Sequence, residues 1–343
     1  MQRPSMKTTW LSGCCFFLAS ALCYGADVGV VTILDGNVRL LRGVSWYKLV
    51  EGARVQDGDV IDAADRAQAQ VELVAGPIVN FAGPAEILAV SAGSREGKQP
   101  APAEMYLTRG WLKLAVKAPG VALRVRSPAG TIVASDAVTV MHAEAEALEA
   151  FVERGGATLI EPGKGATDGT AHEVKGGDFA IRAIDRPFAT AGAAPQKFVA
   201  AMPRHFRDPL PARAAQYQVA RVQLVADRSI NYAEAEPWLT GPYRRVFLKR
   251  FQPRLGDPEF RGPVMAKLQA YPEWHAALVP TEGQTKEKEK EKDKDKDKDK
   301  DKDKDKDKDK DKERAKEKDK AEAPPKAAEK TDSTWSWPFG KKK

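Results

Sequence analysis

Between residues 27 and 183, short apolar runs alternate with turn residues at the spacing of sandwiches and barrels. Residues 28–34 are rich in β-branched side chains, and Asp35-Gly36 predicts a hairpin into 37–41. Residues 68–74 alternate polar and apolar, as a half-buried strand does, and the pattern resumes at 78–81 after Gly76-Pro77. Strand patterns at 105–108 and 111–116 flank Arg109-Gly110. Further runs at 123–126, 131–134, 137–141, 150–153, 157–160 and 179–182 read as separate strands. Residues 91–103, rich in Gly, Pro and charge, read as an exposed loop. The fold class expected is mainly β, an antiparallel sandwich or roll.

After Pro195 the period changes. Asn231 followed by Glu234 fits a capping box before a short helix through Leu239. Tyr243, Val246, Phe247 and Arg250 recur at helical spacing. Asp257-Pro258-Glu259 is a helix start: Asp caps, Pro takes the first helical position and Glu favours the dipole. That helix should run to about Ala270, irregular near Pro263. Trp238, Phe247, Phe260, Leu268 and Trp274 are the expected core of a small helical region over 195–280.

From Lys286 to Lys320 Lys alternates almost strictly with Asp or Glu. Residues four apart carry the same sign, Asp is a poor helix former, and there is almost nothing apolar to bury. The expectation for 281–343 is a disordered polyampholyte, ending in Trp335, Trp337 and Phe339 beside Lys341, Lys342 and Lys343. Those three aromatics are the candidate partner-binding residues, suited to a protein groove or a peripheral membrane contact.

The opposite end explains the cysteines. Arg3 and Lys7 precede an apolar run at 10–22, the length of a signal-peptide core. Small residues follow, so residues 1–26 read as a signal peptide with a mature start at Ala26 or Asp27. An uncleaved anchor is the alternative. Cys14, Cys15 and Cys23 all lie in that segment, so the exported chain would carry no disulfide, thiolate metal site or cysteine nucleophile. The formal net charge of +7 invites a nucleic-acid reading. Much of the lysine sits in the charge-alternating tail, however, and export would separate the chain from nucleic acid. Arg244, Arg245, Lys249, Arg250 and Arg254 form a basic helical stripe that a solvated face explains as well.

No catalytic, cofactor or metal constellation is expected. Gly43-Val44-Ser45 lacks the closing glycine of a nucleophile elbow, and Gly163-Lys164-Gly165 lacks the flanking residues of a phosphate loop. His142, His172, His205 and His275 stand singly. Asp57-Gly58-Asp59 lacks the further oxygens of a calcium loop and reads as a turn.

Residues Leu49 to Gly52, Val55 to Ile61, the alternating strand around Val71 to Val74, Leu107 to Leu112, Val125 to Ala129, Val152 to Gly156 and Val174 to Gly177 together resemble the FecR-like family in order and spacing. The resemblance covers residues 30–183 and implies a periplasmic β domain, over 27–190, without enzymatic activity. Family members often relay a receptor signal to a cytoplasmic sigma factor. This sequence departs from that plan, because its apolar segment begins within ten residues of Met1. The function implied is an exported binding or signalling module whose partner is an envelope protein or cell-wall component. The alternative is a regulator held in the membrane by an uncleaved N-terminus.

Overall fold

Strand β1 (Asp27–Asp35) opens the ladder of the computed structural model, which describes residues 26–93, 102–117, 119–163, 168–218 and 222–279. Next come β2 (Val38–Arg42), β3 (Ser45–Lys48), β4 (Arg54–Gln56), β5 (Val60–Ala63) and β6 (Gln68–Leu73). Two long strands, β7 (Ile78–Ser91) and β8 (Ala103–Val116), are followed by β9 (Leu123–Ser127) and by two more long ones, β10 (Gly130–Ala143) and β11 (Ala147–Pro162). Then come β12 (Asp168–Lys175), β13 (Phe179–Ala183), β14 (Ala189–Ala191) and, beyond a helical turn α1 (Gln196–Ala201), β15 (Ala226–Ser229).

The four long strands fold this ladder into two layers. In the first layer the order is β4-β1-β6-β7-β8-β10-β11-β13-β14, using β7 over 78–82, β8 over 110–116, β10 over 137–143 and β11 over 147–154. The other halves of those strands belong to the second layer, β15-β3-β2-β5-β7-β8-β9-β10-β11-β12. Every pairing is antiparallel except β8 with β9. Val31, Leu112, Leu114, Met141 and Leu148 of the first layer share one core with Leu40, Ile61, Ile87, Leu107, Val125 and Leu159 of the second. The expected mainly β architecture is thus present.

Each long strand changes layer at a corner. In β7 the register shifts between Ala82 and Glu86, across Gly83-Pro84. In β8 the corner is Gly110, at φ +102°, where a Cβ would collide with the Pro84 carbonyl and Ala85. In β10 it is Asp136, at φ +48°, and in β11 it is Gly155, at φ +78°, where a Cβ would strike the Asp136 carbonyl. The corners stack in pairs, so two of them require glycine for want of room as well as for backbone angle. This corrects the reading of Gly110 and Gly155 as turns between separate strands. A second correction concerns Asp35-Gly36, which closes no hairpin. Strand β1 pairs with β4 and β6, and β2 pairs with β3 and β5, so the turn passes the chain between layers.

Both outer faces are partly covered. Residues 195–217 strap the first layer. Phe198 and Phe206 pack with Val140 and Phe179, and Leu210 packs with Ile78 and Ala115. The strap backbone needs partners, since little of it is in regular structure. The Lys113 ammonium, almost fully buried, donates to the Phe206 carbonyl and, at 3.1 Å, to that of Asp208, and pairs with Glu153 at 2.9 Å. Gln70 Nε2 donates to the Pro211 carbonyl at 2.8 Å, and Glu72 accepts from the Arg213 amide at 2.6 Å.

Three helices follow, α2 (Tyr232–Thr240), α3 (Arg244–Phe251) and α4 (Pro258–Ala266), and α2 and α4 begin as their capping chemistry predicts. Asn231 Oδ1 accepts from the Glu234 amide at 3.0 Å while Glu234 accepts from the Asn231 amide at 3.2 Å, completing the capping box. Asp257 Oδ1 accepts from the Glu259 amide at 3.0 Å. Trp238 lies 4.7 Å from Phe247, ring to ring, and Tyr232 lies 5.9 Å from Phe260. The helices cover part of the second layer. Glu234 reaches Trp46 and Arg39 there, and Arg250 donates to the Gly58 carbonyl.

All these elements belong to one compact unit that ends at Ala266, and the described residues after it, 267–279, belong to another. In the second unit, short 3-10 turns at Leu268–Ala270 and Pro272–Trp274 lead into α5 (His275–Leu278), and the Tyr271 and Trp274 rings stand 5.4 Å apart.

Candidate functional site

Where the helical cap ends, the second layer's outer face opens into a cavity of about 830 Å³. That is within the range of small-ligand sites. Its floor is a line of cross-strand neighbours. Tyr106 on β8 stands opposite Arg126 on β9, Arg126 opposite Thr131 on β10, and Thr131 opposite Ile160 on β11. Strand alternation explains why these side chains share a face, since Met105, Leu107, Val125 and Ile132 point the other way into the core. Glu104, two residues before Tyr106, lies on the same face. Tyr243, between α2 and α3, forms one wall together with Pro242. Pro128, Glu161, Pro162, Gly163 and Asp168 complete the rim.

Glu104 organises the polar side. Its Oε1 accepts from the Tyr243 hydroxyl at 3.2 Å and lies 2.9 Å from Arg126 Nε, an ion pair without hydrogen-bond geometry. The Tyr106 and Tyr243 rings meet edge to face at 5.1 Å, fixing the wall. Burial, with the Glu86 carboxylate nearby, pushes the Tyr106 phenol up to about 12. Burial and then Glu104 push Tyr243 upward as well. Both phenols therefore stay protonated at neutral pH and act as donors rather than bases. At the rim, a hydrogen bond from His172 holds the Glu161 carboxyl below its usual range, and Arg124 pairs with Asp168 at 3.0 Å.

Several polar atoms at this cavity are left over. Tyr106 and Thr131 are largely buried as residues, but their hydroxyls reach the cavity and make no hydrogen bond among the described residues. The same holds for Arg126's terminal nitrogens and for Glu104 Oε2. These groups converge on one concave surface.

Other candidates resolve differently. Trp335, Trp337 and Phe339 lie outside the described residues. Of the basic stripe, Arg244 donates to the Leu239 carbonyl, Arg250 to that of Gly58 and Arg254 to that of Ile230, leaving Arg245 and Lys249 exposed. Asp59 sits in its turn as the buried acceptor of Arg42, at 2.6 and 3.0 Å, and of the Gln56 amide at 2.7 Å. His142 stacks on Trp111 at 4.3 Å, and His172 pairs with Glu161. Among the described residues no cluster of His, Cys, Asp and Glu could hold a metal ion, and no helix is long and apolar enough to cross a membrane. The sequence reading did not find the cavity. The available signal was the outward positions Glu104, Tyr106, Arg124 and Arg126 on two adjacent strands.

No family model matches the chain, and no curated protein matches it. Two crystal structures of a protein from Parabacteroides distasonis, provisionally named an anti-sigma factor, are similar to part of it. They are 16% and 14% identical and cover 41% of this chain, each with a TM-score of 0.33. The chain spans 63% and 62% of those two chains, under two thirds of their length.

Proposed function

We propose that this chain is an exported, non-enzymatic envelope protein that acts as a periplasmic binding or signalling module, with the cavity beside Tyr243 as its ligand site. The observation that carries the reading is the set of leftover polar atoms on one concave surface. Side-chain donors and acceptors that make no hydrogen bond within the protein and open onto one cavity are free to meet a ligand. The chemistry also favours binding over turnover, because both phenols stay protonated and Glu104 is held by Arg126 and Tyr243. The resemblance of residues 30–183 to FecR-like domains, together with the signal-like N-terminus, supports placement in the envelope. In this reading the charge-alternating segment is a tether, and Trp335, Trp337 and Phe339 dock on an envelope protein or at the membrane surface.

The test is the intact mass of the protein recovered from the soluble periplasm and from membranes. A soluble species beginning at Ala26 or Asp27 is expected. A full-length membrane species selects the anchored regulator instead, and recovery only from cytoplasm overturns the reading. Removing 331–343 should release the protein from the envelope fraction; unchanged association rules out docking by the terminal aromatics.

A further inference from the structure

The cavity's leftover groups also specify what it takes. Resting on the binding-module reading above, we infer that this site binds a neutral saccharide, with one sugar face against the Tyr243 ring and adjacent hydroxyls shared among Glu104, Arg126, Tyr106 and Thr131. Charge is the first discriminator. Arg126 and Glu104 lie 2.9 Å apart and compensate one another, so the floor offers neither the uncompensated cation an anionic ligand needs nor a free carboxylate for a cation. At the rim, Asp168 is matched by Arg124 and Glu161 hydrogen-bonds His172. An anionic ligand would have to break one of the arginine pairs. A neutral one uses them as they stand.

The second element is the mixture of donors and acceptors. Glu104 Oε2 only accepts, the Arg126 terminal nitrogens only donate, and the Tyr106 and Thr131 hydroxyls do both. Tyr106, Arg126 and Thr131 are cross-strand neighbours, and Glu104 lies two residues along from Tyr106. Adjacent strands lie about 4.8 Å apart, so the floor offers groups at short, regular intervals. Sugar hydroxyls, each both donor and acceptor and closely spaced on a rigid ring, match such a row. An apolar ligand would leave the row unsatisfied.

The third element is the wall. Tyr243 is half-buried, and its ring is fixed edge to face against Tyr106 and by its hydroxyl on Glu104. A fixed aromatic ring beside polar groups can take the C–H face of a pyranose while the ring's hydroxyls turn to the floor. Pro128, Pro162 and Pro242 add rigid apolar rim without competing donors.

The experiment is calorimetric titration of the purified full chain with maltotriose, cellotriose and N,N′,N″-triacetylchitotriose, at low and high salt. Saturable binding of at least one is expected, with affinity unchanged by salt because the ligand carries no charge. Tyr106→Phe and Thr131→Val each remove one hydroxyl at nearly constant shape and should weaken binding about two- to tenfold. Their melting temperatures should hold, because neither hydroxyl makes a hydrogen bond within the protein. Tyr243→Ala should weaken binding by about tenfold or more. No saturable binding of any of the three sugars overturns the inference. So does affinity unchanged in both hydroxyl variants, or tighter binding of zwitterionic trialanine than of every sugar. Failure here leaves the envelope placement standing, since the mass and fraction of the recovered protein test that placement independently of the cavity.

Discussion

Glu234 is the carboxylate that joins the helical cap to the second sheet layer, and its neutralisation should be measurable. Arg228 grips it from two nitrogens at 2.6 and 2.8 Å. Trp46 Nε1 donates at 3.1 Å, the Asn231 amide at 3.2 Å, and Arg39 approaches to 3.4 Å. Led by the Arg228 hydrogen bonds, these donors hold the carboxyl at about 2, against an ordinary 4.5. At about 1.4 kcal/mol per tenfold change in proton affinity, the upper bound is ~3.5 kcal/mol. Arg228 is 42% exposed, so water and salt screen much of this, and we expect about 1–2 kcal/mol. Glu234→Gln should therefore lower the melting temperature at neutral pH by about 2–8 °C. Because the folded value is depressed, the stabilisation is complete above about 4.5 and fades as pH falls toward 2. Scanning calorimetry of both proteins from pH 7 down to pH 2.5 should show the two melting temperatures converging. A gap of constant size across that range, or none at pH 7, refutes the electrostatic account of this joint.

Three further predictions test the frame. Asp59 is 3% exposed at its side chain, so Asp59→Ala leaves Arg42 uncompensated and should cost about 3–5 kcal/mol in urea unfolding. Gly155→Ala must hold φ near +78° and displace the Asp136 carbonyl, so it should cost more than about 2 kcal/mol, whereas Gly192→Ala, with open space, should be nearly neutral by the same assay. Lys113→Met removes the buried donor to the Phe206 and Asp208 carbonyls, and amide hydrogen exchange over residues 205–213 should accelerate while the strands stay protected.

What the sequence made legible divides by the range of the interaction. Helix starts are local chemistry. Asn231 with Glu234, and Asp257 with Glu259, each contact a backbone amide two or three residues away, and both caps form as expected. The presence of strand segments is also local, because apolar alternation is read within a single run, although three pairs of runs merge into the long strands β8, β10 and β11. How strands join and pair is not. Nothing near Asp35-Gly36 states that β1 will pair with β6 and β2 with β5. The Gly110 and Gly155 corners look like turns in sequence, since positive φ is required in either case. The neighbour that makes each a bend, Pro84 for Gly110 and Asp136 for Gly155, comes from another strand. The basic stripe shows the same limit. Arg244, Arg250 and Arg254 follow a solvent-face pattern, but each ends on a backbone carbonyl.

The cavity lay beyond local reading for a related reason, and that reason says what maintains it. Its floor depends on β9 lying parallel to β8 with Tyr106 opposite Arg126, and its wall on Tyr243, 139 residues from the Glu104 it contacts. In a strand a shift of one residue exchanges the two faces. Such a slip in β8 would turn Leu107 outward and bury Tyr106 in the core. The Gly110 corner guards against it, because the strand crosses layers there and both halves must keep their own phase: Leu112 and Leu114 inward on one side, Met105 and Leu107 inward on the other. The core that fixes this phase is apolar on both sides of the corner, so binding residues on the outer face are positioned by residues that never touch the ligand. Substitutions that loosen the Gly110 corner should therefore impair ligand binding through register, even where the fold survives.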